Sequence, residues 1–97
     1  MKIVFDAKAI SDLENIRQWI ARENPPMATK VLERLFSGVR SLALFPARGR
    51  NGLEPGTREL VVPGLPYIVV YKIYDDMNEL VVAAVFHTSQ GRSEAQD

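Results

Sequence analysis

Apolar positions repeat at two different periods along this chain, and the change of period divides it into elements. From Ala7 to Glu23, Ile10, Leu13, Ile16 or Arg17, and Ile20 recur three or four residues apart, the spacing of one buried helical face. Asp6 offers an N-cap, because its carboxylate can accept from a free amide of the first turn. Ser11 with Glu14 forms a capping box that would start the helix later, and the pattern does not choose between the two. Trp19 falls at the edge of the apolar stripe beside Ile16 and Ile20, where a tryptophan at the rim of the core is a simpler expectation than a binding hot spot. Ahead of this helix, Lys2 to Phe5 is short, β-branched and aromatic, and predicts a strand.

Asn24-Pro25-Pro26 stops the helical pattern and restarts it. Asparagine is a good N-cap, and proline is tolerated in a first turn, where its missing N–H costs nothing. A second helix is predicted from about Pro26 to Leu44, with Ala28, Val31, Leu32, Leu35, Val39 and Leu42 on one face. Gly38 weakens it by roughly 1 kcal/mol relative to alanine, unless a close helix–helix contact requires the missing side chain. Pro46 ends it. So short a link between two such helices implies an antiparallel helical hairpin.

The period then changes from helical to β. Ala47 to Pro55 is a polar loop, and Gly56 to Tyr71 reads as a β-hairpin turning at Pro63-Gly64. Proline presets φ at the second position of such a turn and glycine accepts the positive φ of the third. Pro66 lacks an amide for the ladder and belongs at the turn edge. The returning strand continues through Lys72-Ile73-Tyr74, and Asp75 to Asn78 makes another turn. Glu79 to His87 forms a last strand, apolar on both parities from Leu80 to Phe86, which predicts a central position covered on both sides. Thr88 to Asp97 is a polar tail expected to fray. The order is β-α-α-β-β-β, an α+β fold in which one helical hairpin packs on one face of a small, mainly antiparallel sheet. The other face, or part of it, is then left for solvent or a partner.

Composition narrows the function more than the fold. Ninety-seven residues make one domain, and 46% hydrophobic with 25% charged residues is ordinary for a soluble globular protein. Twelve basic and twelve acidic residues cancel, unlike the surplus of a dedicated nucleic-acid binder. Locally Arg48, Arg50 and Arg58 gather with only Glu54 and Glu59 among them. No cysteine is present, which excludes a disulfide framework and fits a reducing cytoplasm. There is no membrane-length apolar run and no signal-peptide pattern at Met1 to Asp6, so a cytoplasmic location without membrane association is expected.

One histidine and no cysteine cannot supply a usual metal set, and neither a P-loop nor a dinucleotide fingerprint occurs. No cofactor is therefore expected. Ser89 near His87 lacks a third orienting acid for a triad. The positive candidates are Arg50, Arg58, Lys72, His87, Gln90 and Arg92. Arg58 opens one strand and His87 closes another, so both could reach one rim of a small sheet. An arginine fork with a nearby histidine would suit RNA cleavage through attack by its own 2′-hydroxyl. Structural roles compete on equal terms: a salt bridge from Arg58 to an acid such as Glu54, or a backbone carbonyl satisfying His87. Lys72 follows the face of Ile68 and Val70 and suits a snorkelling lysine. Tyr67 and Tyr71 share a parity and could stack on bases, although strand tyrosines more often pack cross-strand.

Several stretches taken together carry a resemblance. They are Asp12-Leu13…Ile16…Trp19-Ile20, Asn24-Pro25, Leu42…Phe45-Pro46 and Arg50-Asn51-Gly52. Further along come Gly56-Thr57-Arg58-Glu59-Leu60-Val61-Val62, Pro66-Tyr67-Ile68-Val69-Val70-Tyr71 and Val85-Phe86-His87…Gln90. Over nearly the whole chain they resemble the ParE/RelE superfamily of toxins from bacterial type II toxin–antitoxin modules, with the ParE branch favoured. The resemblance implies the same β-α-α-β-β-β fold, a cognate ParD-like or similar small DNA-binding antitoxin, and a role such as plasmid stabilisation. ParE-like members are associated with inhibition of DNA gyrase, and RelE-like members cut mRNA on the ribosome. Arg58 matches the family's strand arginine and His87 a frequent terminal-strand histidine. The resemblance implies target contacts at Arg50, Arg58, His87, Gln90 and Arg92, with Arg50, Arg58 and His87 as the catalytic set of a nuclease. Antitoxin contacts are expected at Trp19, Ile20, Leu35, Tyr67 and Tyr71, through an added edge strand or an apolar helix beside the helical hairpin. The tail has no tyrosine or tryptophan and the surface is not strongly basic, which favours the gyrase reading over the nuclease. A non-toxic interaction module is the third reading.

Overall fold

Asn24 divides the helical half of the chain. Its side chain accepts from the Met27 amide at 3.1 Å, so the cap expected from the sequence starts a new helix at Pro25. The computed structural model describes residues 1–90. Within them the order is β1 (Lys2–Phe5), α1 (Ala7–Ala21), α2 (Pro25–Ser41), β2 (Arg50–Asn51), β3 (Arg58–Val61), β4 (Tyr67–Tyr74) and β5 (Glu79–His87). The helix begins directly after Asp6, the earlier of the two candidate starts. The Asp6 side chain makes no capping bond; its backbone carbonyl instead accepts from the Ile10 amide at 3.1 Å.

The sheet has five strands in the order β1-β5-β4-β3-β2, with β1 parallel to β5 and every other pair antiparallel. The Pro63-Gly64 turn forms as expected. Leu65 N donates to Val62 O at 3.1 Å and Gly64 takes φ +78°, which makes a type II turn. β2 lies inside the predicted loop, because Arg50 and Asn51 pair with Glu59 and Arg58. β5 is internal, between β1 and β4. Its apolar run on both parities has a local cause: Val70 pairs with Ala84 while Tyr71 pairs with Val82, so Ala83 is an extra residue. This bulge resets the alternation and turns Leu80, Val82 and Val85 all into the core.

The helical hairpin covers one face of the sheet. Ala9 and Leu13 of α1, with Val31, Leu35 and Val39 of α2 and Leu42 beyond it, pack on Leu60, Val69, Tyr71, Leu80, Val82 and Val85. The buried stripe of α1 is rotated from the expected one. Ala9 takes its first place, Ile16 and Ile20 pack at its margin, and Ile10 is 57% exposed. Gly38 approaches the sheet and not the other helix: a Cβ there would stand 3.4 Å from Val62 Cγ2. On the opposite face Ile68 is buried, Val70, Lys72 and Val81 are half-buried, and Val61 and Tyr74 are exposed. Thr88–Gln90 opens the polar tail with a 3-10 turn, and the rest of that tail lies outside the described residues.

Candidate functional site

Two surfaces collect the polar side chains that the sequence singles out. The first is the link from α2 to β2. Pro46–Arg48 forms a 3-10 turn, held from beneath by a buried tyrosine. The Tyr71 hydroxyl donates to Pro46 O at 2.7 Å and accepts from Gly49 N at 2.9 Å. Arg58 Nη1 donates to Gly49 O at 2.7 Å and to Ala47 O at 3.4 Å. Arg48 Nη1 reaches Ser41 Oγ at 2.7 Å, and Arg50 pairs with the buried Glu59 through Nε and Nη2 at 3.2 and 3.1 Å. The partners of Arg58 are thus backbone carbonyls and not Glu54, whose own carbonyl accepts from Thr57 Oγ1 at 2.6 Å. Burial pushes the Tyr71 phenol above the ordinary tyrosine range, and the hydrogen bond from Gly49 opposes that shift.

The second surface is a cleft of about 490 Å³ between α1 and the end of β5. β1 stops at Phe5 opposite Val82, so beyond this point the outer edge of β5 faces α1 instead of a strand. Asp12 Oδ2 accepts from Val85 N at 2.9 Å, and Gln90 Oε1 accepts from His87 N at 2.7 Å. Side chains thereby satisfy amides that a strand would otherwise pair. Trp19, Ile16, Tyr67 and Phe86 add aromatic and apolar surface to the cleft. Trp19 is 68% exposed, with the Arg22 guanidinium carbon 5.3 Å from its ring centre. The structure therefore moves Trp19 from the expected core rim into solvent at the cleft mouth. Burial raises the phenol of Tyr67, whose ring stands edge-on to His87 at 5.3 Å.

His87 is constrained by its own turn. Ser89 N donates to Nδ1 at 3.0 Å, so in the neutral ring the proton sits on Nε2. Ser89 Oγ lies 2.7 Å from the same nitrogen. Among the described residues no backbone carbonyl satisfies the ring in the way the simpler sequence reading expected.

The two surfaces do not meet. Arg58 pairs with Tyr71 and His87 with Tyr67, so four residues of strand and two strand spacings separate them, roughly 16 Å between Cα atoms. The single rim expected from the strand ends is absent, because β3 and β5 both run antiparallel to β4, which puts the start of β3 and the end of β5 at opposite ends of the sheet. Arg50 and Arg58 both border the braced link but from opposite faces of the sheet, on Glu59 and on Gly49 O, while His87, Gln90, Trp19 and Tyr67 sit together at the cleft. Ile20 packs against the core. Leu35 and Tyr71, at 1% and 0% exposure, present no side-chain surface to a partner, and Tyr71 has no face available for a base. Lys72 is half-buried on the far face of the sheet, and Arg92 lies outside the described residues. Among the described residues no three metal-ligating side chains lie together. Sequence reasoning gave no role to Asp12 or Gly49 and set Ser89 aside with the triad; Asp12 acts through its carboxylate on the Val85 amide, Gly49 and Ser89 through their own amides. The only local signal was Ser89 two residues after His87.

The family described as "ParE toxin of type II toxin-antitoxin system, parDE" matches residues 3–91. Toxin Y4kP of Sinorhizobium fredii is 37% identical over 84% of this chain and 84% of its own length. Toxin RelE2 of Caulobacter vibrioides is 32% identical over 82% of this chain and 89% of its own. Among solved structures, a chain of the chromosomal ParDE toxin–antitoxin system of P. aeruginosa superposes with a TM-score of 0.80. It is 21% identical, covering 90% of this chain and 95% of that one, a likeness of fold.

Proposed function

This chain belongs to the ParE toxin family of type II toxin–antitoxin systems, and from that premise we propose that it arrests growth by docking on DNA gyrase until a cognate ParD-like antitoxin neutralises it. The separation of Arg58 from His87 carries the reading. An RNA-cleaving site needs its phosphate-binding and proton-transferring groups around one scissile bond, within hydrogen-bond reach. Here the arginine Nη1 is engaged by Gly49 O and the histidine Nδ1 by Ser89 N, on different surfaces. Such an arrangement suits binding better than bond cleavage. The cleft lined by Trp19, Ile16 and Tyr67 is the place we assign to the antitoxin, since its apolar lining, exposed at Trp19 and half-buried at Ile16, fits an apolar helix face.

The test is to purify the chain from its antitoxin and compare gyrase supercoiling with mRNA integrity in a translating extract. Inhibited supercoiling with intact mRNA is the expected result. Cuts at ribosome-bound codons that disappear in His87→Ala would replace this reading with a RelE-like ribosome-dependent endoribonuclease. The identity shared with a toxin named RelE2 is the observation favouring that second reading.

A further inference from the structure

Between Glu33 and Glu54 the chain carries Arg34, Arg40, Arg48 and Arg50 and no carboxylate side chain, within a protein whose twelve basic and twelve acidic residues cancel overall. At the centre of this stretch, just past α2, Leu44 is 79% and Phe45 64% exposed. Isolated exposed apolar residues are ordinary, but these two are adjacent, large and outside the core. The backbone beneath them is braced. Phe45 N bonds to Ser41 O at 3.1 Å and Arg48 N to Phe45 O at 3.0 Å, while Tyr71 and Arg58 hold the carbonyls of Pro46, Ala47 and Gly49. A projection already held in one shape loses little freedom on docking.

The charges around it differ in how far they are matched. Arg50 faces Glu59, Arg58 faces carbonyls and Arg34 donates to Pro63 O. Arg48 touches the neutral Ser41 Oγ, and among the described residues neither it nor Arg40 has an ion-pair partner. Arg40 lies one helical turn before Leu44. We infer that Leu44 and Phe45, flanked by Arg40 and Arg48, form a docking knob that enters an apolar pocket rimmed by carboxylates on the protein this toxin acts upon. The inference rests on the toxin reading above and adds the surface that meets the target. None of the knob residues lines the cleft assigned to the antitoxin. A protein pocket suits the knob better than a nucleic acid, because Leu44 offers no stacking face and the neighbouring Arg50 and Arg58 are already engaged by Glu59 and Gly49 O.

Two double variants test it, Leu44→Ser with Phe45→Ser and Arg40→Glu with Arg48→Glu. Each is measured for growth arrest without antitoxin, for antitoxin affinity and for thermal midpoint. At least about a tenfold loss of toxicity is expected in both, with antitoxin affinity within about twofold of the parent and an unchanged midpoint. Undiminished toxicity in both variants overturns the knob. So does loss of antitoxin affinity in a folded variant, which would give this surface to the antitoxin. Loss of binding to a single-stranded RNA that the parent protein holds would overturn it as well. Supercoiling by purified gyrase separates the two proposals. If the parent arrests growth without affecting gyrase, only the gyrase target falls and the variants still judge the knob. A parent that arrests no growth overturns both.

Discussion

Gly49 stands so close to Tyr71 that a Cβ on the glycine would fall 2.5 Å from the phenolic oxygen, the same oxygen that accepts the Gly49 N–H at 2.9 Å. The glycine is required by space and not by conformation, since its φ of −73° suits any residue. Tyr71→Phe removes a donor and an acceptor together and leaves the Pro46 carbonyl and Gly49 amide without that partner. It is expected to cost about 1–3 kcal/mol in urea denaturation. Gly49→Ala must also displace Glu59 O, which lies 2.8 Å from the added carbon, and is expected to cost at least as much. A Tyr71→Phe protein as stable as the parent would show that the hydroxyl braces nothing.

Alkaline pH tests the same tyrosine. Burial holds the phenols of Tyr71 and Tyr67 above their ordinary value, so the unfolded chain ionises first as pH rises. The stability that comes from keeping them neutral is fully present below about pH 10 and lost as pH climbs through the folded-state values. Denaturation midpoints attributable to these phenols should hold steady up to that range and then decline, less steeply in Tyr71→Phe. Phenolate absorbance of the folded protein should show delayed ionisation; a normal titration curve for both tyrosines would refute this.

Asp12 connects α1 to the strand edge across 73 positions of sequence through the Val85 amide. Asp12→Ala strands that amide and is expected to cost about 1–2 kcal/mol. Asp12→Asn keeps a carbonyl oxygen and should recover much of it. Its exposed pairing with Lys8 contributes little. Hydrogen exchange at Val85 is the direct measurement, with faster exchange in the alanine variant expected.

Arg58→Ala removes the bonds to Gly49 O and Ala47 O but leaves the core intact. A fold that persists by circular dichroism, a loss of about 0.5–1.5 kcal/mol and weaker growth arrest are expected. An unfolded variant would mean that Arg58 is needed for the architecture itself.

What the sequence determined by itself is what depends on residues a few positions apart. Helical spacing gave both helices and most of the buried stripe of α2, Asn24 its cap and Pro63-Gly64 its turn. The resemblance, carried by stretches over nearly the whole chain with Gly56 to Tyr71 among them, anticipated the family that matches residues 3–91. The phase of α1 was harder to see: Ala9 is buried and Ile10 exposed, and a small residue facing a nearby sheet carries no hydrophobic signal stronger than its neighbour's.

Only the tertiary structure decided the parallel pairing of β1, the two-residue β2 and the bulge at Ala83. The bonds that shape the candidate surfaces span 22 positions from Gly49 to Tyr71 and 25 from Pro46 to Tyr71. Such contacts depend on where the backbone returns in space, and strand register sets that return. A one-residue slip reverses which face a side chain occupies, so no short-range pattern could have placed these groups together or apart.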